Sequence, residues 1–255
     1  MRQAGDKVAE PMPPGAVPMR ITDYDQALSL FDLSKLKSKG LGDLQLDADG
    51  NIAQARDGDW QMGPQRVNAL FRLVERWRVS QFTIDELFNA WRGAADERNA
   101  MQSQSNHTSL VLNPQQYWTN AESIAELGEN SGILAGTIFV VLDNLVQRFR
   151  QDLGETTIAA YSAQQPFDAV IHAAAANFRH YDEWATSKVI TPQQKRSIAA
   201  VCSYLSVPIE GANGAPGIRS NVCSTVLEKL SEDSATNLHR KLFDYAKATA
   251  HYHEF

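Results

Sequence analysis

The sequence predicts a mainly α-helical protein, a C-terminal helical bundle preceded by a small β-meander and two helices. Three observations carry that expectation. Apolar residues recur at helical spacing through most of the chain beyond residue 63. Thr83 with Glu86, Thr119 with Glu122, and Thr191 with Gln194 have the spacing of capping boxes. Two turn dipeptides, Asp49-Gly50 and Asp57-Gly58, fall in the one stretch where the helical period fails.

Taken in order, residues 1–20 hold Pro11, Pro13, Pro14 and Pro18 among small and polar neighbours, which predicts an extended or disordered arm. Thr22 is placed to cap a short helix running to about Leu33, with Asp23 and Asp25 in its first turn. From Leu41 to Met62 the short segments around the two Asp-Gly turns predict the meander. The run Asp47 to Asn51 superficially resembles a calcium loop. Counted from Asp47, however, Gly58 stands where the bidentate Glu is needed, so the turn reading is preferred.

Gly63-Pro64 opens a helix to about Val79, with Val67, Leu70, Phe71, Val74 and Trp77 on its apolar face and Arg66, Arg72, Arg76 and Arg78 around it. These arginines form the most basic patch of the chain. Thr83 starts a second helix, stapled by Phe82 and Leu87, to about Met101. The polar stretch 106–116 reads as a linker, dividing an N-terminal α+β region (21–105) from a bundle (117–255). In the bundle, a short helix runs from Thr119 to Gly128, and Ser131 caps a long apolar helix from Gly132 to Leu153. A helix spans Pro166 to Lys188, and Thr191 opens another to Tyr204. Residues 208–219 form a glycine-rich loop, and helices Val222–Leu230 and Ser234–Tyr252 close the chain. The final His251-Tyr252-His253-Glu254 reads as a frayed polar tail.

Composition narrows the function. With 43% apolar and 21% charged residues, 255 residues suffice for a sizeable core without disulfides or metals. A net charge of −6 argues against general electrostatic binding to nucleic acid, although it leaves room for a local basic site. Cys202 and Cys223 lie in apolar helical segments and read as buried, reduced thiols. There is no apolar core of a signal peptide behind Arg2 and Lys7, and the longest apolar run, Ile133 to Leu142, is about half of the ~20 residues a spanning helix needs. The expectation is a cytoplasmic protein without membrane contact. There is no phosphate-binding glycine loop, no nucleophile elbow and no Cys/His array, so neither cofactor nor metal is expected.

The polar residues of the 166–188 helix are the candidate site. Val170, Ile171, Ala174, Phe178 and Tyr181 share a face that should enter the core. His172, Arg179 and Glu183 fall on the far side, and Asn177, His180 and Trp184 run between the two faces. A stripe on the border of a buried face holds polar groups still without fully desolvating them. Asn177, Arg179 and His180 are therefore the candidate catalytic residues, and Trp184, His172 and Glu183 the candidate binding residues. An imidazole can move protons near neutral pH, a guanidinium stabilises charge developing on phosphate, and an amide can orient either. A purely structural account also fits these residues. Arg179 and Glu183 form an i,i+4 pair worth about 0.2–0.5 kcal/mol, and His180 can pack on Trp184 and bond Asn177.

The segment Ala176 to Trp184, ANFRHYDEW, with Asn177, Arg179 and His180 inside a helix of a bundle spanning about 117–255, resembles the HEPN superfamily (higher eukaryotes and prokaryotes nucleotide-binding domains). In the usual family motif several residues separate the Arg from the His; here the two are adjacent. The resemblance implies a small helical bundle, often a homodimer, and a metal-independent ribonuclease or RNA-binding module of a bacterial toxin–antitoxin or antiphage system, with RNA as partner. Two other readings stand beside it. One is a non-catalytic helical interaction module that docks a protein through the N-terminal region or the Arg66–Arg78 helix. The other is a small-molecule binding bundle walled by Trp184 and Trp118.

Overall fold

The computed structural model describes residues 20–38, 46–47, 49–54, 58, 60, 64–105, 113–154, 166–186, 190–209 and 217–254. The protein is mainly α, with 80% of the described residues helical. The order is α1 (Tyr24–Leu30), a 3-10 helix (Ser34–Ser38), α2 (Gln65–Ser105), α3 (Pro114–Asp152), α4 (Pro166–Thr186), α5 (Pro192–Leu205), α6 (Cys223–Ser231), α7 (Ala235–Thr249) and a final 3-10 turn (Tyr252–Glu254). Of the expected arm at 1–20, residues 1–19 lie outside the described residues, as does most of the expected linker.

Asp23, one residue after the expected Thr22, caps α1 by accepting the Asp25 N–H at 2.9 Å. The described residues do not support the β-meander. Among the described residues there is no strand, only two isolated antiparallel bridges, Leu46 with Ile52 and Gln54 with Trp60. The Asp49-Gly50 turn itself is present. Gly50 and Gly58 take φ of 83° and 88°, and Asp47 Oδ1 accepts the N–H groups of Asp49 and Asn51 at 3.0 and 2.9 Å. What is lacking is a face to pack on: Leu46, Ile52 and Trp60 are all exposed, and an isolated hairpin is marginal in water.

The two helices expected between residues 63 and 101 are one helix, α2. Thr83 and Glu86 sit inside it and cap nothing. The buried stripe Leu70, Val74, Trp77, Gln81, Ile84, Phe88 and Trp91 keeps its phase across residues 80–84, so burial holds the helix continuous through the local start signal. The same holds for α3. Thr119 is mid-helix, Gly128 stops nothing, and Ser131 donates to the Gly128 carbonyl at 2.9 Å within the helix where a cap was expected. The true cap is Asn113, with Pro114 in the first turn. The expected capping box of α5 is present with both bonds, Gln194 N–H to Thr191 Oγ1 at 3.2 Å and Thr191 N–H to Gln194 Oε1 at 2.8 Å.

Helices α2 and α3 pair antiparallel. Near one end Gln65 reaches the Asp152 carbonyl, and near the other Gly128 faces Arg98. Helix α4 packs on α3, with α5, α6 and α7 around it. One hydrophobic cluster runs through the whole, from Ile21 to Tyr252, with Trp77, Trp91, Trp184, Phe139, Phe149 and Phe243 fully buried. Gly136 on α3 has no side chain because the Phe178 ring of α4 occupies that space. Residues Tyr252–Glu254 form a 3-10 turn where fraying was expected, and Tyr252 enters the core. Helix α3 has the length and apolar composition of a membrane-spanning helix, with 56% of its apolar window buried inside the protein.

The basic patch of α2 is largely consumed in ion pairs. Arg76 Nη1 lies 2.5 Å and Arg72 Nη1 3.5 Å from the buried carboxylate of Asp152. Arg66 meets Glu254 at 3.4 Å, and Arg78 meets Glu75 at 3.0 Å.

Candidate active site

Helix α4 faces α3 with an acid buried between them. Asp143 is 2% exposed on α3, and its two oxygens bind two residues of α4. His172 Nδ1 lies 3.1 Å from Oδ1, and Arg179 Nη2 lies 3.1 Å from Oδ2. His172 and Arg179 are seven residues apart, two turns along one face. Burial by itself pushes the Asp143 carboxyl up. Hydrogen bonds from His172, Gln147 and Arg179, with the electrostatic pull of the His172 ring, outweigh it and hold the group below the ordinary carboxyl range. An ionised carboxylate only accepts, so His172 carries its proton on Nδ1, and the basic lone pair of the neutral ring is on Nε2.

A second histidine stands near an acid without a hydrogen bond to it: His180 Nδ1 lies 3.3 Å from Glu183 Oε1, two turns beyond His172 and much nearer solvent. His172, Arg179, His180 and Glu183 line one cleft of about 250 Å³, together with Ala176 and Trp184 of α4 and Thr191, Gln193, Gln194 and Ser197 at the start of α5. The cleft exists because α5 begins at its cap beside the last two turns of α4 and then packs against them. Among the described residues, no group of three or more His, Cys, Asp or Glu side chains is placed to hold a metal ion.

Five of the six sequence-derived site residues thus share one cleft. Asn177, the sixth, is fully buried elsewhere. Its Nδ2 donates to the Ser220 carbonyl at 3.2 Å, and its Oδ1 accepts the Val222 N–H at 3.0 Å. The amide therefore fixes the chain entering α6. The Cys223 thiol beside it donates to the Ala174 carbonyl at 3.3 Å, and burial pushes this thiol up to about 12. Trp184 is also more buried than a border position suggests, and its indole nitrogen has no hydrogen-bond partner. The core face of α4 is consequently rotated toward Asn177 and Trp184, while Phe178 and Tyr181 are half-buried. Trp118 stands exposed on α3 and does not line the cleft with Trp184.

Sequence reasoning missed Asp143. The signal was there: it is the one charged residue between Glu129 and Arg148, in the most apolar stretch of the chain. A lone carboxylate in a core helix needs a partner.

Comparison with known proteins adds no family: no protein-family model, no curated protein and no solved structure matches this chain.

Proposed function

We propose that this chain is a HEPN-like helical protein that cleaves single-stranded RNA with its own acid–base groups, in a bacterial toxin or antiphage setting. The observation that carries the reading is the placement on one cleft wall of His172, hydrogen-bonded to buried Asp143, with Arg179 and with His180, which has Glu183 beside it. Transfer of phosphate to the ribose 2′-hydroxyl needs a base, an acid and a cation at the phosphate, and the wall supplies each type. The resemblance of ANFRHYDEW to the superfamily supplies the substrate class and the setting.

In this reading His172 Nε2 takes the proton of the 2′-hydroxyl. The 2′-oxygen attacks phosphorus, and the bond from phosphorus to the 5′-oxygen breaks. That oxygen takes a proton from His180, which enters the step protonated. The products are a 2′,3′-cyclic phosphate and a 5′-hydroxyl. Arg179 offsets the charge gathering on the phosphoryl oxygens, and Asp143 keeps the His172 ring oriented while it holds the extra proton. Glu183, 3.3 Å from the His180 ring, is its nearby counter-charge.

The test is cleavage of a single-stranded RNA oligonucleotide by the purified full chain in excess chelator, with the ends identified. RNA is expected to give cyclic phosphate and 5′-hydroxyl ends, and the matching DNA, which lacks the nucleophile, to stay intact. His172→Gln should slow cleavage by roughly 10²–10⁴-fold. Intact RNA with wild type, or full activity in His172→Gln, overturns the reading.

A second reading, a non-catalytic protein-interaction module, draws on a separate observation. Beyond Ala94 on α2 and before Ser131 on α3, Asn120 is the only buried residue among those described, and Trp118 is exposed there. That leaves a two-helix arm with an aromatic on its surface.

A further inference from the structure

The two walls of the cleft differ in chemistry. The α4 wall carries its charges: His172, Arg179, His180 and Glu183. The α5 wall is neutral throughout, with Thr191, Gln193, Gln194 and Ser197. Lys195 and Arg196 are neighbours of these residues in sequence, yet they are exposed and do not line the cleft. A phosphate would be met by cations on both sides. A wall of hydroxyls and amides, offering donors and acceptors together, instead suits the edge of a nucleobase.

Within that wall the side chains are not equivalent. Gln194 Oε1 is engaged by the Thr191 N–H in the capping box, and Ser197 is buried. Gln193 is exposed at the cleft mouth, with a whole carboxamide to present.

We infer that Gln193 determines specificity by reading an adenine next to the scissile phosphate, its oxygen accepting from the exocyclic amine and its NH₂ donating to ring N7. This pairing is the bidentate match of a glutamine amide. The inference rests on the RNA-cleaving reading of the same cleft. Gln193 acts on the choice of site, whereas His172, Arg179 and His180 act at phosphorus.

The experiment exposes a pool of single-stranded RNAs of randomised sequence to the full chain and sequences the new 5′-hydroxyl ends. Wild type should cleave beside adenine at least tenfold more often than beside the other bases. Gln193→Ala should bring that ratio close to one. Gln193→Glu, which can only accept, should move the preference toward cytosine, whose amine donates. Cleavage by wild type without adenine preference, or a preference unchanged in Gln193→Ala, overturns the inference and leaves the cleavage reading standing. No cleavage by wild type removes both.

Discussion

His172 and His239 each bind a carboxylate on another helix, and the two pairs are nearly the same length. His172 Nδ1 meets Asp143 at 3.1 Å, and His239 Nε2 meets Asp85 at 2.9 Å. Their surroundings differ. In the His239 pair the other ring nitrogen accepts the Trp77 indole N–H at 3.0 Å, and the imidazole stands edge-on to the Trp77 ring in the core, close to Phe243 and Phe31. An indole only donates, so it fixes the neutral tautomer of His239 with its proton toward Asp85. After the Gln81 amide is turned to satisfy its neighbours, it donates to the other Asp85 oxygen and accepts the Ile21 N–H, which ties α2, α7 and the N-terminal segment into one network. The His172 pair has instead an arginine beside it and a cleft in front of it. The same two residue types thus make a sealed tie in one place and, in the proposed reading, a proton-transfer group in the other. The surroundings of each pair decide between them.

The largest effect should come from breaking the sealed pair. His239→Ala leaves the Trp77 N–H and the Asp85 carboxylate without their partner and opens a cavity, which should cost roughly 2–4 kcal/mol in urea unfolding. A loss as small as that of a surface substitution would show that the network does not hold α2 to α7.

Gly136→Ala probes the open pair without touching it. A Cβ there overlaps the Phe178 ring and pushes α3 from α4. It should cost about 1–3 kcal/mol and reduce cleavage by loosening Asp143 against His172. Asn177→Ala should cost about 1–3 kcal/mol, through the Ser220 and Val222 bonds it abandons, while the folded fraction keeps its cleavage rate. A specific loss of rate in folded Asn177→Ala would return that residue to the catalytic group.

Acid sharpens the comparison further. The Asp143 carboxyl is held below its ordinary value of 3.8 in the folded state. Its contribution to stability is therefore present above that value and disappears as pH falls through the lower native one. The stability difference between wild type and Asp143→Asn should be constant around neutrality and shrink below about pH 4; unfolding curves at several pH values check this. The smallest effect is expected for Glu183→Gln. Its pair with His180 is exposed, so stability should change by under about 0.5 kcal/mol, whereas cleavage slows because His180 loses its nearby counter-charge.

The helical class was legible because amphipathic periods are long and redundant. The breaks within α2 and α3 were misread because a capping box is a four-residue signal, whereas the buried stripe that overrides it in α2 runs from Leu70 to Trp91, about six turns. The meander was misread for the converse reason: the turn chemistry at Asp49-Gly50 is sound, but a sheet needs a partner surface that no local pattern reports. At the site, the wheel of α4 grouped His172 with Arg179 correctly, since two turns on one face is a local property. It placed Asn177 and Trp184 too far outward and could not see Asp143, because which helix packs against that face is a tertiary fact.

The most direct measurement sets His172→Gln beside His239→Gln, reading RNA cleavage and the urea midpoint for each. The account predicts that His172→Gln keeps a near wild-type midpoint and loses cleavage, while His239→Gln lowers the midpoint and, where still folded, cleaves. Equal loss of stability in both, or cleavage by His172→Gln at the wild-type rate, would contradict it.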